Sequence, residues 1–288
     1  MKVIRAKVLG FCMGVRRAVE LASAEAERSD GARIYTFGPL IHNPKVLADL
    51  ESRGVKIINE PPQNPEGCVV VIRAHGISPD VENKLRDARC RIVDATCPKV
   101  KSAQLKAEEL ARAGYCLFLA GEKRHGEIEG VMGYAQAGSA PFCAVVGTEG
   151  EAEEAALRLY ETNKNAKSAL LGQTTISEEE YRKIGAAIKK HFPNLEIVRT
   201  ICAATGDRQQ ALRELLKTAE AVIIAGGKAS ANTRRLLAIA QGSGKPCVLA
   251  ENVSDIPPLF RSFNTVGLCA GASTSDSVID EIEAWLAT

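Results

Sequence analysis

Three of the nine cysteines stand where chemistry is possible. Cys12, Cys97 and Cys202 each close a short strand-like run and lead straight into helical sequence. The runs are Val8-Leu-Gly-Phe-Cys12, Ile92-Val-Asp-Ala-Thr-Cys97 and Ile197-Val-Arg-Thr-Ile-Cys202. A helix N-terminus stabilises a thiolate through its dipole and its unpaired N–H groups, and the thiolate is the form that ligates metal. Three thiolates without a fourth cysteine or histidine in an equivalent place fit a closed structural zinc site poorly. They fit a four-iron cluster with one iron left open to substrate, because four cysteines is the usual complement. The other six, Cys68, Cys90, Cys116, Cys143, Cys247 and Cys269, lie in or beside apolar strands and are expected to pack as small hydrophobes.

Four histidines add a second signal. His191 lies in a Lys-Lys-His-Phe-Pro stretch and reads as a solvated helix end. His42, His75 and His125 fall at strand ends in matching places. With Ser230, Asn232 and Ser273 they offer convergent donors of the kind that satisfy phosphate oxygens. Ser230 and Asn232 equally suit helix caps, and both readings stand at this point. Glu127 and Glu129 follow His125. A carboxyl beside a metal centre can deliver protons, and spacing does not choose between the two. Thr174 and Thr175 suit either a substrate hydroxyl or strand packing.

The elements that must position these residues repeat three times. Each cysteine is followed by an amphipathic helix and then by a strand ending in glycine. A polar residue sits four places beyond: Gly38 to His42, Gly121 to His125, Gly226 to Ser230. The spacings from cysteine to polar residue are 30, 28 and 28. A further strand in each repeat ends in a serine that opens a helix, at Ser78, Ser177 and Ser275. The expected fold is therefore α/β, with three pseudo-threefold-related units and mostly parallel sheets around a central iron–sulfur site. The expected units are residues 14–97, residues 98–195, and residues 1–13 joined to 196–288. Ligands in open α/β sheets bind beyond the carboxyl ends of strands, where all these residues lie.

Composition narrows the function classes. Of 288 residues, 45% are hydrophobic, and 37 Lys+Arg face 35 Asp+Glu. That balance gives no electrostatic case for nucleic acid. The N-terminal Met-Lys-Val-Ile-Arg-Ala-Lys is broken by charge too early for a signal peptide. No apolar run is long enough to span a bilayer. An odd number of scattered cysteines suits a reducing compartment, so a cytoplasmic protein with no membrane partner is expected.

Together these segments resemble the 4-hydroxy-3-methylbut-2-enyl diphosphate reductase family, also called LytB/IspH. The resemblance rests on Gly-Phe-Cys12-Met-Gly-Val, Ile41-His42-Asn43, Ala74-His75-Gly76, Asp94-Ala-Thr-Cys97-Pro, His125-Gly-Glu127-Ile-Glu-Gly, Gln173-Thr174-Thr175, Ile201-Cys202-Ala-Ala-Thr205 and Ala270-Gly-Ala-Ser273. It implies one [4Fe–4S] cluster on Cys12, Cys97 and Cys202. It also implies a diphosphate held by His42, His75, His125, Ser230, Asn232 and Ser273. Glu127 is then the proton source, and Thr174 positions the substrate hydroxyl. The implied reaction is reductive dehydroxylation of the allylic diphosphate to isopentenyl and dimethylallyl diphosphate, the last step of the non-mevalonate pathway. Ferredoxin or flavodoxin is the implied electron donor.

Three places depart from the family pattern. Ala231 stands where a second serine is frequent, Gly126 replaces a common proline, and Ala-Ala-Thr-Gly-Asp follows Cys202. Quinolinate synthase, with three units and three cysteines around an open cluster but no net reduction, is a rival. A non-catalytic iron–sulfur sensor is another.

Overall fold

The computed structural model describes residues 1–28 and 31–287. Its strands form three four-stranded sheets, all parallel, whose topologies match position by position. One sheet has the order β3-β2-β4-β5, built from Val55–Ile58, Arg33–Phe37, Cys68–Ile72 and Arg91–Asp94. The next has the order β7-β6-β8-β9, from Cys143–Val146, Cys116–Ala120, Ser168–Gly172 and Glu196–Ile197. The third has the order β11-β10-β12-β1, from Cys247–Ala250, Ala221–Ala225, Thr265–Ala270 and Lys2–Arg5. The three-unit α/β fold expected from the repeat is the fold observed.

The chain divides into two compact units. One comprises Met1–Arg16, Ile41–Asp49 and Ala203–Thr288 and holds the third sheet. The other comprises Arg17–Leu40 and Leu50–Cys202 and holds the first two.

Hydrophobic patterning explains the sheets. Strands β4, β6, β8 and β10 are buried at every residue, as strands covered on both faces must be. Their Val, Ile and Leu side chains make the core, and full burial of each contributes roughly 1.5–3 kcal/mol. The connecting helices carry their own start signals. Ser78 caps α3 (Pro79–Asp87), with proline in the first turn, and Ser177 caps α7 (Glu178–Lys189) in a complete capping box with Glu180.

One expectation needs correction. The run Val8–Cys12 is not a strand. The edge strand β1 lies upstream at Lys2–Arg5, and Gly10 takes a left-handed turn at φ +80°. Leucine and phenylalanine supply the apolar pattern there, but the Cys12 N–H leaves the ladder and donates to the Ala272 carbonyl at 3.0 Å. The strand before Cys202 is likewise shorter than its apolar run, ending at Ile197.

Candidate active site

In each sheet, the edge strand β5, β9 or β1 leads to a cysteine, and its neighbour β4, β8 or β12 leads to the His75, Thr174 or Ser273 segment. The cysteine backbone is tied to that neighbour in the same way each time. The N–H of Cys97 donates to Ala74 O (3.0 Å), that of Cys202 to Thr174 O (2.9 Å), and that of Cys12 to Ala272 O. A helix follows at once in every case: α4 (Pro98–Arg112), α8 (Ala203–Thr218) and α1 (Met13–Glu27). All nine cysteines are thiols. The three at the helix starts are half-buried, whereas Cys68, Cys90, Cys116 and Cys269 are buried in the core, as their strand positions imply. Burial pushes the Cys143 thiol up to about 11 and the Cys269 thiol up to about 12, which leaves both protonated and poor ligands.

The larger unit gathers His75, His125, Glu127 and Thr174. His125 caps helix α5 (Gly126–Ala137), its Nδ1 accepting the Glu127 N–H at 3.2 Å. With Nδ1 an acceptor, the neutral ring carries its proton on Nε2. The His75 and His125 rings meet edge to face with centroids 5.1 Å apart. Glu127 is 2% exposed, and Thr174 clamps its carboxylate twice. The Thr174 N–H donates to Oε1 at 2.6 Å and the Thr174 hydroxyl to Oε2 at 2.9 Å. Burial pushes the Glu127 carboxyl up to about 7, against the downward pull of the two Thr174 bonds. The two glutamates differ in their surroundings. Glu129 is more than half exposed and pairs with Arg73 at 3.7 Å. Thr175 takes a different part, accepting from Gln173 Nε2 at 3.0 Å, while Gln173 Oε1 accepts the Glu122 N–H.

The smaller unit gathers His42, Ser230, Asn232, Ser273 and Cys12. The Ser273 hydroxyl donates to the His42 carbonyl at 3.2 Å, and Asn43 donates to Ser273 O at 2.7 Å. Gly227 lets this segment approach closely, since a Cβ there would lie 2.5 Å from the His42 oxygen. Ser230 caps helix α9 (Ala231–Gly242), its oxygen accepting the Thr233 N–H at 3.4 Å. Only an acceptor site is used by that bond, so the hydroxyl proton stays available. Asn232 does not cap. It is 4% exposed, and neither its amide oxygen nor its amide nitrogen has a hydrogen-bond partner. An unsatisfied buried polar atom costs about 1–3 kcal/mol, which a ligand with matching oxygens would relieve.

These sheets and this order of residues have counterparts in known proteins. The family model for LytB protein matches residues 3–287. This chain belongs to the LytB family. Curated relatives of the LytB chain include the 4-hydroxy-3-methylbut-2-enyl diphosphate reductase of Treponema denticola, 42% identical with 98% of each chain covered. The reductase of Solidesulfovibrio magneticus is 39% identical, again over 98% of each. Among solved structures, the E-1-hydroxy-2-methyl-but-2-enyl-4-diphosphate reductase of Plasmodium falciparum superposes with TM-score 0.91 at 26% identity, covering 100% of this chain and 88% of that one. A second, (E)-4-hydroxy-3-methyl-but-2-enyl diphosphate reductase, described as the terminal enzyme of the non-mevalonate pathway, gives TM-score 0.72 at 36% identity over 99% and 98%. Membership of the LytB family sets the quinolinate synthase reading aside. No described helix of the LytB chain is long and apolar enough to cross a membrane.

The donor set suits an anionic thiolate-bound group. Arg208, on α8, is 3% exposed and donates to Gly10 O at 2.8 Å and to Ala204 O at 3.0 Å, while its Nε has no partner. Both partners are carbonyl dipoles, and neither carries a full negative charge. A buried cation held this way, next to the loop bearing Cys12, favours an anion there. Arg208 and Arg73 are residues that sequence reading missed: Arg208 lies inside an ordinary helix, and Arg73 stands just outside the Ala74-His75-Gly76 motif.

Proposed function

We propose that the chain is a cytoplasmic iron–sulfur reductase that converts (E)-4-hydroxy-3-methylbut-2-enyl diphosphate to isopentenyl and dimethylallyl diphosphate. The supporting observation is the buried Glu127 carboxyl, held on Thr174, with the Glu127 backbone N–H bonded to His125 of the His75–His125 pair. The proposal includes three repeats, residues 14–97, 98–195, and 1–13 with 196–288. When bound on Cys12, Cys97 and Cys202, a [4Fe–4S] cluster with one open iron supplies electrons and a Lewis-acidic position for the substrate hydroxyl.

The chain's own residues do the rest. His42, His75 and His125, with Ser230, Asn232 and Ser273, bind the diphosphate through donors already placed by caps and strand ends. Binding energy from this remote group orients the allylic carbon. Thr174 orients Glu127 and the substrate hydroxyl. Glu127, protonated near neutrality, gives its proton to the departing oxygen. In balance, two electrons and two protons enter, the allylic C–O bond breaks, and water leaves. Ferredoxin or flavodoxin supplies the electrons.

The test is anaerobic turnover of the hydroxy diphosphate by iron-replete protein with a reduced one-electron donor. An acid that must be protonated makes kcat fall as pH rises through about 7. Glu127→Gln removes that limb and lowers kcat by roughly 100-fold or more with iron retained. Iron-replete protein that leaves the substrate unconsumed ends the reductase reading. Near-normal kcat in Glu127→Gln ends the proton role, and with it the contrast to a sensor, which needs no acid. Loss of iron in Cys→Ser variants at 12, 97 and 202, and not at 116, checks the ligand set.

A further inference from the structure

Arg73 directly follows strand β4, two residues before His75. Its Nε donates to the carbonyl of Gly76 at 3.2 Å, so the guanidinium braces the turn that carries His75. Two glycines make its seat. A Cβ at Gly38, where φ is +70°, would stand 2.7 Å from Nη1, and a Cβ at Gly126 would collide with Nη2. Gly126 directly follows His125. The cation therefore lies within one residue of both histidines of the edge-to-face pair.

Arginine keeps its charge at any working pH, and its planar fork suits oxyanions. The Arg73 side chain is only 20% exposed, so its field is less screened than that of a surface group. Glu129 is a weak counter-charge, because it sits 3.7 Å away with its side chain 53% exposed. Burial holds the Arg73 guanidinium below its usual range, and Glu129 offsets that only in part.

We propose that Arg73 supplies a fixed positive charge behind the His75–His125 pair and that this charge sets the affinity of the site for a diphosphate. It acts through the histidine-bearing turn and through its field, as a positioning residue. Glycine at 126 is the accommodation that makes room for it. The inference rests on the diphosphate reading given above, and its test separates the two.

The experiment compares iron-replete wild type with Arg73→Gln, Arg73→Lys, Glu129→Gln and Gly126→Ala. It measures kcat and KM for the hydroxy diphosphate, and Kd for inorganic pyrophosphate by calorimetry. Arg73→Gln is expected to raise KM and the pyrophosphate Kd about tenfold with kcat within about twofold. Arg73→Lys, which keeps the charge, recovers most of the loss. Glu129→Gln, which removes the counter-charge, shifts the Kd the opposite way. Gly126→Ala displaces the guanidinium and weakens pyrophosphate, and added to Arg73→Gln it has little further effect.

Equal pyrophosphate affinity in wild type and Arg73→Gln, at matched iron content and melting temperature, overturns the proposal. A fall in kcat with unchanged KM does so too. Arg73-dependent pyrophosphate binding by a protein that leaves the hydroxy diphosphate untouched keeps the proposal and removes the substrate reading.

Discussion

At the residue scale, an unpartnered buried amide costs stability. Asn232 is buried with both amide atoms unpartnered at the start of a helix whose cap is already supplied by Ser230. An apolar residue of similar volume removes that penalty without opening a cavity. Asn232→Leu is therefore expected to raise the melting temperature by about 2–4 °C while weakening pyrophosphate binding about tenfold. A lowered melting temperature would show that Asn232 is structural. The cysteines and histidines were legible because they recur at a repeating interval beside apolar runs and helix starts. The Glu127–Thr174 clamp was not, because the partners lie 47 residues apart and neither position calls for the other locally.

At the element scale, helix starts carry much of the positioning. Most of these starts were readable, since Ser78 and Ser177 show the expected cap chemistry. Strand ends were read less well. The apolar run before Cys12 fits a strand, yet the ladder lies upstream and the run is loop. Strand limits depend on which neighbour offers carbonyls, and local pattern does not contain that. In α7, the Ser177 hydroxyl accepts the Glu180 N–H at 3.1 Å, and the Glu180 carboxylate accepts from the Ser177 N–H at 3.2 Å. Ser177→Ala is expected to cost about 1 kcal/mol, seen as a melting temperature about 2–4 °C lower. An unchanged melting temperature would mean that tertiary packing, and not the cap, holds the start of α7.

At the scale of the whole molecule, the smaller unit is assembled from three distant stretches of chain. Its edge strand β1 pairs in parallel with β12, Lys2 opposite Thr265 and Arg5 opposite Leu268. The Ala6 N–H extends the ladder to Leu268 O at 2.8 Å. Removing residues 2–6 strips one edge from the sheet and leaves β12 exposed. Limited proteolysis of the truncated protein is expected to cut faster within Ala203–Thr288 than in the full chain, with Leu50–Cys202 cut at the same rate. Equal cutting of the two proteins would show that β1 adds nothing to that unit. With β1 in place, the third sheet has the edge strand that β5 and β9 give the other two.

Local sequence determined what each segment can be. Apolar runs make buried strands, amphipathic spacing makes helices, and repeated intervals make three similar sheets, because all of these follow from short-range geometry and burial. Residue type also determined which side chains could bind metal or phosphate. Only the tertiary structure decided which glutamate is buried and clamped and which is exposed. It alone decided that Ser230 caps while Asn232 lies unpartnered, and that the Arg73 guanidinium packs against Gly38 and Gly126. Burial and hydrogen-bond partnership belong to the surroundings of a residue, and those surroundings come from parts of the chain that are remote in sequence.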